Sequence, residues 1–276
     1  MKTKGRKILL YALLILTSAV FLAPIFIVLM NSFKDKLFIS AEPFMLPNSE
    51  TFSGLENYTS GLDKTGFFSA FGYSLFITVG SVLVTVLFSS MTAWYITRVK
   101  SKFTSAVYYA FVFSMIVPFQ MVMFAMSKIA NILRLDNPLG IIVIYLGFGA
   151  GLSVFMFCGF IKSIPLEIEE AAMIDGCSGI KTFFLVVFPI LKPTAITVAI
   201  LNAMWIWNDY LLPYLVIGSD YKTIPIAIQY LRGGYGSVDM GAMMAMLVLA
   251  IIPIVVFYLS SQKYIIKGVV AGAVKG

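Results

Sequence analysis

Few residues in this chain could do chemistry. There is no histidine among the 276 residues, which removes His-based acid–base catalysis, Ser-His-Asp triads and most zinc sites. The two cysteines, Cys158 and Cys177, form no C-x-x-C pair and read as reduced, structural residues. Gly179-Ile180-Lys181-Thr182 ends like a phosphate loop but lacks the upstream glycine and the Gly-Lys pair, so nothing here cradles ATP phosphates. Two polar groupings remain. One is acidic: Glu167, Glu169 and Glu170, followed by Ala171, Ala172, Asp175 and Gly176. The other joins Asn202, Asn208 and Asp209 to Trp205 and Trp207. Planar polar groups beside aromatic faces suit a sugar, and polar groups at membrane depth are costly enough to be suspect. The alternative is an interfacial tryptophan belt with Asp209 already in water. Gln120, beside Pro118, reads either as a packing residue bonding across helices or as a solute contact.

The elements that must position these residues are set by hydropathy. Hydrophobic residues make up 60% of the chain and charged ones 12%, about half the charge of an ordinary soluble domain. A chain of this length could not hide that much apolar surface in water, so lipid is the natural solvent. A spanning helix needs about 20 apolar residues. Six stretches qualify, at about 8–33, 68–97, 103–127, 138–161, 190–212 and 240–262, within one transmembrane domain over 1–276. The first follows Lys2, Lys4, Arg6 and Lys7 but is too long for a signal sequence. With both termini inside, the inner segments hold thirteen of the 20 lysines and arginines and four of the 13 acids, the distribution that the positive-inside rule requires. This bias explains the net charge of +7 without nucleic acid as a partner. The expected topology is therefore multi-pass, with both ends in the cytoplasm.

The acidic grouping falls in the largest inner loop. Ser163 is a candidate N-cap, Pro165 is tolerated in a first turn, Glu167, Glu169 and Glu170 suit the positive dipole end, and Gly176 suits a C-terminal stop. The signals predict a short helix over about 164–176, roughly 17 Å long at 1.5 Å per residue. It would lie along the membrane face and offer Ala171, Ala172 and Gly176 as a small-residue surface. Without a partner, the same pattern would be a simple interfacial amphipathic helix.

The spacing around this helix resembles the permease subunits of ATP-binding-cassette importers. Their cytoplasmic loop carries Glu-Ala-Ala, three residues, Gly, nine residues, then Ile-x-Leu-Pro. Here the run is Glu170-Ala171-Ala172, Gly176, nine residues, then Val186-Val187-Phe188-Pro189. Val186 and Phe188 depart from the pattern but stay apolar. Pro118-Phe119-Gln120, Trp207-Asn208-Asp209-Tyr210 and the tail 271–276 look like the carbohydrate, maltose-type branch, and within it the smaller six-span permease. The resemblance implies an all-α membrane protein with the type-I importer permease fold and a cytoplasmic coupling helix. It also implies a homologous second permease, two ATPase subunits that bind ATP and magnesium, and an extracellular solute-binding protein as partners. This chain would hold no cofactor or metal and would catalyse no covalent step. Glu167, Glu170, Ala171, Ala172, Asp175, Gly176, Cys177 and Ser178 would form the ATPase-coupling interface. Asn202, Trp205, Asn208, Asp209 and Gln120 would line the solute path. Arg232, Gly233, Gly234 and Tyr235 would lie in an outer loop touching the binding protein, unless that loop is only a flexible connection. The rival readings are a secondary carrier or channel acting alone, disfavoured by charge-free spans, and a membrane-embedded enzyme, disfavoured by the missing histidine.

Overall fold

The structure, a computed structural model, describes residues 2–218, 220–231 and 238–273. The chain is helical, in the order α1 (Lys2–Asn31), α2 (Lys36–Ala41), α3 (Glu56–Thr65), α4 (Phe67–Arg98), α5 (Lys102–Ser114), α6 (Phe119–Ile132), α7 (Gly140–Ile161), α8 (Leu166–Ile174), α9 (Gly179–Thr182), a π-helical turn (Phe183–Val187), α10 (Phe188–Ile190), α11 (Lys192–Asn208), α12 (Leu211–Val216), α13 (Ile224–Gln229) and α14 (Met240–Ala273). An isolated antiparallel β-bridge joins Lys34 and Phe52. Among the described residues, four helices are long and apolar enough to cross a membrane: Arg6–Asn31, Phe67–Arg98, Gly140–Ile161 and Met240–Lys263. Two further candidates are bent pairs, which bring the total to six if each pair is one span.

The bends have local causes. The stretch expected to run unbroken over 103–127 instead stops at Ser114 and restarts at Phe119, turning by 108°. Pro118 supplies no N–H and disfavours helical backbone at the residue before it. Tight turns close the first piece, with Met115 N–H donating to Val112 O and Ile116 N–H to Phe113 O. The expected span over 190–212 likewise becomes α11, over Lys192–Asn208, set at 77° to the Gly179–Ile190 segment, with Pro189 and Pro193 flanking the break at Leu191.

Two compact units arise, one from Met1–Phe68 with Ala227–Pro253 and the other from Ser69–Ile226 with Ile254–Gly276. In the second, α7 is buried along much of its length. Phe157, Cys158 and Ile161 pack with Ala93 of α4 and with Phe183, Val187 and Leu191 around the π-turn. Toward the other end of α7, Ile141 and Tyr145 pack with Ile77, Leu212 and Ile217. In lipid, helices gain nothing from burying apolar groups against each other, so close packing of small residues decides which faces meet. Accordingly α4 buries Ser74, Thr78, Ser81, Thr85 and Ser89, three or four apart and so on one face. At Gly149 of α7, a Cβ would lie 2.6 Å from Asn202 Oδ1 and 3.3 Å from Thr85 Cγ2, so only glycine allows this approach.

The first unit orders the segment after α1 through polar contacts. Asn57 Nδ2 donates to the carbonyls of Ser32 (2.9 Å) and Lys34 (2.7 Å), and the buried Lys34 ammonium donates to Glu42 O at 2.6 Å. Asp239 receives the Ala242 N–H at 3.1 Å, capping the start of α14, and pairs with Lys64 at the end of α3. Partial burial pushes the Asp239 carboxyl up, but the hydrogen bonds from Lys64 and Ala242 and the charges of Lys64 and Lys36 outweigh it and hold the group below its ordinary value of 3.8. Stability from a depressed carboxylate is present above its unfolded value and is lost as pH falls through the folded one. Asp239→Asn should therefore lower the melting temperature of the detergent-purified chain at pH 7, and the difference from wild type should vanish in acid below the ordinary carboxylate range. Lys64 is half exposed, which limits the effect to less than ~1 kcal/mol. Asp239→Ala should cost about 1 kcal/mol more through the lost cap.

Candidate functional site

The short helix α8 is nine residues long, about 14 Å, shorter than its sequence signals predict. Ser163 does not cap it. Its N–H and its hydroxyl both donate to Phe160 O, at 2.9 and 2.7 Å, so the end of α7 claims it. Pro165 occupies the cap position in extended backbone and makes no side-chain cap. The other end closes as a Schellman motif. Cys177 N–H donates to Ala172 O and Gly176 N–H to Met173 O, both at 3.0 Å, with Gly176 at φ +86°. Glycine alone takes that backbone at little cost. Ser178 then accepts the Lys181 N–H and caps α9.

One side chain fixes the helix to the spans. Glu169 is 2% exposed. Its Oε1 accepts from Arg98 Nη2 at 2.6 Å and Nε at 2.9 Å, and its Oε2 accepts from Trp94 Nε1 at 2.8 Å. Arg98 Nη2 also reaches Ile164 O at 3.0 Å, in the turn leading into α8. Both arginine contacts are charge-assisted, and the guanidinium fork holds orientation as well as position. Trp94 lies against the Phe183 ring with centroids 5.5 Å apart, so the same residue touches α8 and the π-helical turn beyond it. Trp94 and Arg98 were not singled out from the sequence. Their signal was their spacing: four residues apart, they share one face at the polar end of α4.

With Glu169 turned inward, the rest of α8 points away from the spans. Glu167, Glu170, Ala171, Asp175, Gly176 and Ser178 are exposed, while Ala172 and Cys177 are half-buried. The expected small-residue surface is flanked by large apolar groups: Leu166, Ile168 and Met173 are exposed, and Ile174 is 86% exposed. An apolar patch rimmed by carboxylates on so short a helix is the form of a docking surface.

The second polar grouping does not stay together. Asn202 is buried, and its Nδ2 donates to Ser153 Oγ at 3.2 Å and Val198 O at 2.9 Å. Trp205 meets Tyr145 edge-on at 5.4 Å. Asp209 closes α11, accepting from the Tyr145 hydroxyl at 3.1 Å and from the Leu211 N–H at 3.0 Å. Asn208 is exposed and donates to Met204 O. Asn202 and Trp205 border an open cleft of about 320 Å³ beside the α5–α6 break, together with Ser114, Phe119, Phe148 and Leu152. Gln120 is exposed in the first turn of α6 and makes no hydrogen bond among the described residues. Arg232, Gly233, Gly234 and Tyr235 lie outside the described residues. No group of three or more His, Cys, Asp or Glu among the described residues could hold a metal.

The ion pair is testable by a double-mutant cycle. Breaking a buried pair from one side strands a charge and costs about 3–5 kcal/mol, whereas replacing both partners by apolar groups costs far less. Arg98→Met and Glu169→Leu should each increase tryptic cleavage at Lys162 and Lys181, which flank α8, and the double variant should be cut less than Arg98→Met. Additive effects would show that the two residues do not act as a pair.

Comparison with known proteins agrees with this architecture. Residues 85–270 match the family described as "Binding-protein-dependent transport system inner membrane component". The chain is 40% identical, over 99% of both sequences, to the "probable starch degradation products transport system permease protein" of Thermoanaerobacterium thermosulfurigenes. It is 37% identical, over 96% of both, to the multiple sugar-binding transport system permease protein of Streptococcus mutans, and 31% identical to the melibiose/raffinose/stachyose import permease of Bacillus subtilis, over 100% of this chain and 99% of the relative. Its fold matches a chain of a bacterial ABC transporter that imports alginate, with a TM-score of 0.79 over 96% of this chain and 98% of that one at 20% identity. A family match across most of the helical chain, on a type-I importer permease fold, makes this protein a member of the binding-protein-dependent transport system inner membrane components.

Proposed function

We propose that this chain is one of two permease halves of an ATP-binding-cassette importer for a sugar or oligosaccharide. The observation that carries the coupling role is α8: a helix locked to the spans by Glu169, closed by Gly176, and turning an unpartnered apolar face outward. The sugar class rests on the names of the relatives, which concern starch degradation products, multiple sugars and melibiose, raffinose and stachyose. The partners are a second permease, two ATPase subunits that carry ATP and magnesium, and an extracellular binding protein. A related solved structure is an alginate transporter in complex with its solute-loaded periplasmic protein. The charge distribution supports a cytoplasmic-membrane location with both termini and α8 inside.

In this scheme the ATPases close on ATP and move α8. Because Glu169 and Arg98 join α8 to α4, displacement of the short helix becomes tilt of the long one, which opens and closes a path at the bilayer midplane. The cleft bordered by Asn202 and Trp205 is this chain's contribution to that path. Trp205 offers a sugar its ring face, while Asn202, whose amide is held by Ser153 and Val198, shapes the wall. Gln120, Asn208 and Asp209 flank the path, and Arg232, Gly233, Gly234 and Tyr235 are the proposed contacts to the binding protein.

In the reconstituted complex, Gly176→Val places a β-branched residue in left-handed backbone and should leave the chain in the membrane while cutting solute uptake at least tenfold relative to ATP hydrolysis. Glu170→Lys should act the same way through its charge. Wild-type uptake per ATP in both variants would remove the coupling role from α8. Separately, Trp205→Ala should raise the solute concentration needed for half-maximal uptake severalfold with basal ATP hydrolysis unchanged. An unchanged uptake curve would place the sugar path on the other permease.

A further inference from the structure

A pocket of about 380 Å³ opens where α4 ends, α5 begins and α7 ends, and it plays no part in the site above. Its walls carry Lys100, Ser105, Tyr108, Tyr109 and Lys162, and no acidic residue lines it. Lys162 Nζ stands 5.6 Å from the centroid of the Tyr108 ring. Among the described residues, neither lysine pairs with a carboxylate, and neither tyrosine hydroxyl has a hydrogen-bond partner. The Ser105 hydroxyl already donates to Ser101 O at 2.9 Å, leaving its oxygen lone pairs free. Two ammonium groups and two phenols thus present donors with no carboxylate to meet them. That composition suits an anion, and several donors lining one pocket suit an oxyanion with several acceptors, such as a phosphate.

The surroundings favour a lipid over a free ion. The pocket lies where the long apolar runs of α4 and α7 end and polar residues begin. Directly beside it α5 exposes Phe103, Tyr109 and Phe113, each about two-thirds exposed or more. A phosphodiester seated between Lys100 and Lys162 would have these exposed rings of α5 near it for its acyl chains. Basic pockets between the ends of spanning helices take anionic headgroups for the same reason.

We propose that this pocket binds the headgroup of an anionic phospholipid, with its acyl chains laid along α5. The proposal does not depend on the transported solute. The test is native mass spectrometry of the complete transporter, released from nanodiscs containing phosphatidylglycerol and phosphatidylcholine in equal amounts. Wild type should retain phosphatidylglycerol selectively. Lys100→Gln and Lys162→Gln should each lower that retention about fivefold, matching the contribution of one basic residue near an anionic surface, and Lys→Arg at either position should restore it. Both lysines are exposed, so melting temperatures should not change and lost retention cannot be assigned to misfolding. Equal retention by wild type and the Lys100→Gln/Lys162→Gln double variant would overturn the proposal, as would equal retention of phosphatidylcholine. Displacement of the lipid by excess inorganic phosphate would overturn it in favour of a soluble anion.

Discussion

Glu169 is a carboxylate almost wholly withdrawn from water, and such a group is stable only when its charge and lone pairs are met. Arg98 meets the charge and one oxygen, and Trp94 meets the other. Most of what distinguishes this permease follows from that. The short helix α8 cannot drift from α4 without stranding the carboxylate. Trp94 lies against Phe183, so the π-helical turn is held by the same residue. Phe183 sits in the cluster that includes Phe157, Ile161 and Leu191, which extends the connection into α7 and to the bend before α11. A load on α8 therefore meets a packed assembly, not a loose loop.

Stiffness alone would not let the spans rearrange, and the structure provides breaks as well. The turns at 115–118 and at Leu191 interrupt helices where proline removes a backbone donor or crowds the preceding turn. The cleft bordered by Asn202 and Trp205 lies beside the first of these breaks. Irregular backbone at membrane depth is tolerated where protein or a water-filled cavity can satisfy the freed groups. A rigid joint at α8 and bent spans beyond it are the two properties that the proposed transmission of tilt requires.

Charge-free runs marked the spans because lipid enforces apolar composition along a whole helix, and the Gly176 stop was legible because the left-handed backbone there selects glycine. The rest depended on competition that a linear reading does not weigh. Ser163 has the chemistry of an N-cap, but the end of α7 reaches it first. Pro118 within an apolar run is compatible with a kink or a full turn, and the packing around it chose a 108° turn. Asn202 and Asp209 read as one polar group with Asn208, yet each is drawn to a different partner: Asn202 to Ser153, Asp209 to Tyr145. Arg98 counted only as a topology charge, because its partner is 71 residues away in sequence.

The closure at Gly176 also limits how α8 can be recognised. The carbonyls of Ala172 and Met173 would otherwise end the helix as free acceptors, but the amides of Cys177 and Gly176 already occupy them. Two of the last four carbonyls of α8 are thereby closed to a protein approaching that end. If α8 is the proposed docking helix, its partner reads contour together with the carboxylates and apolar groups projecting from it, so fidelity would be written in side chains.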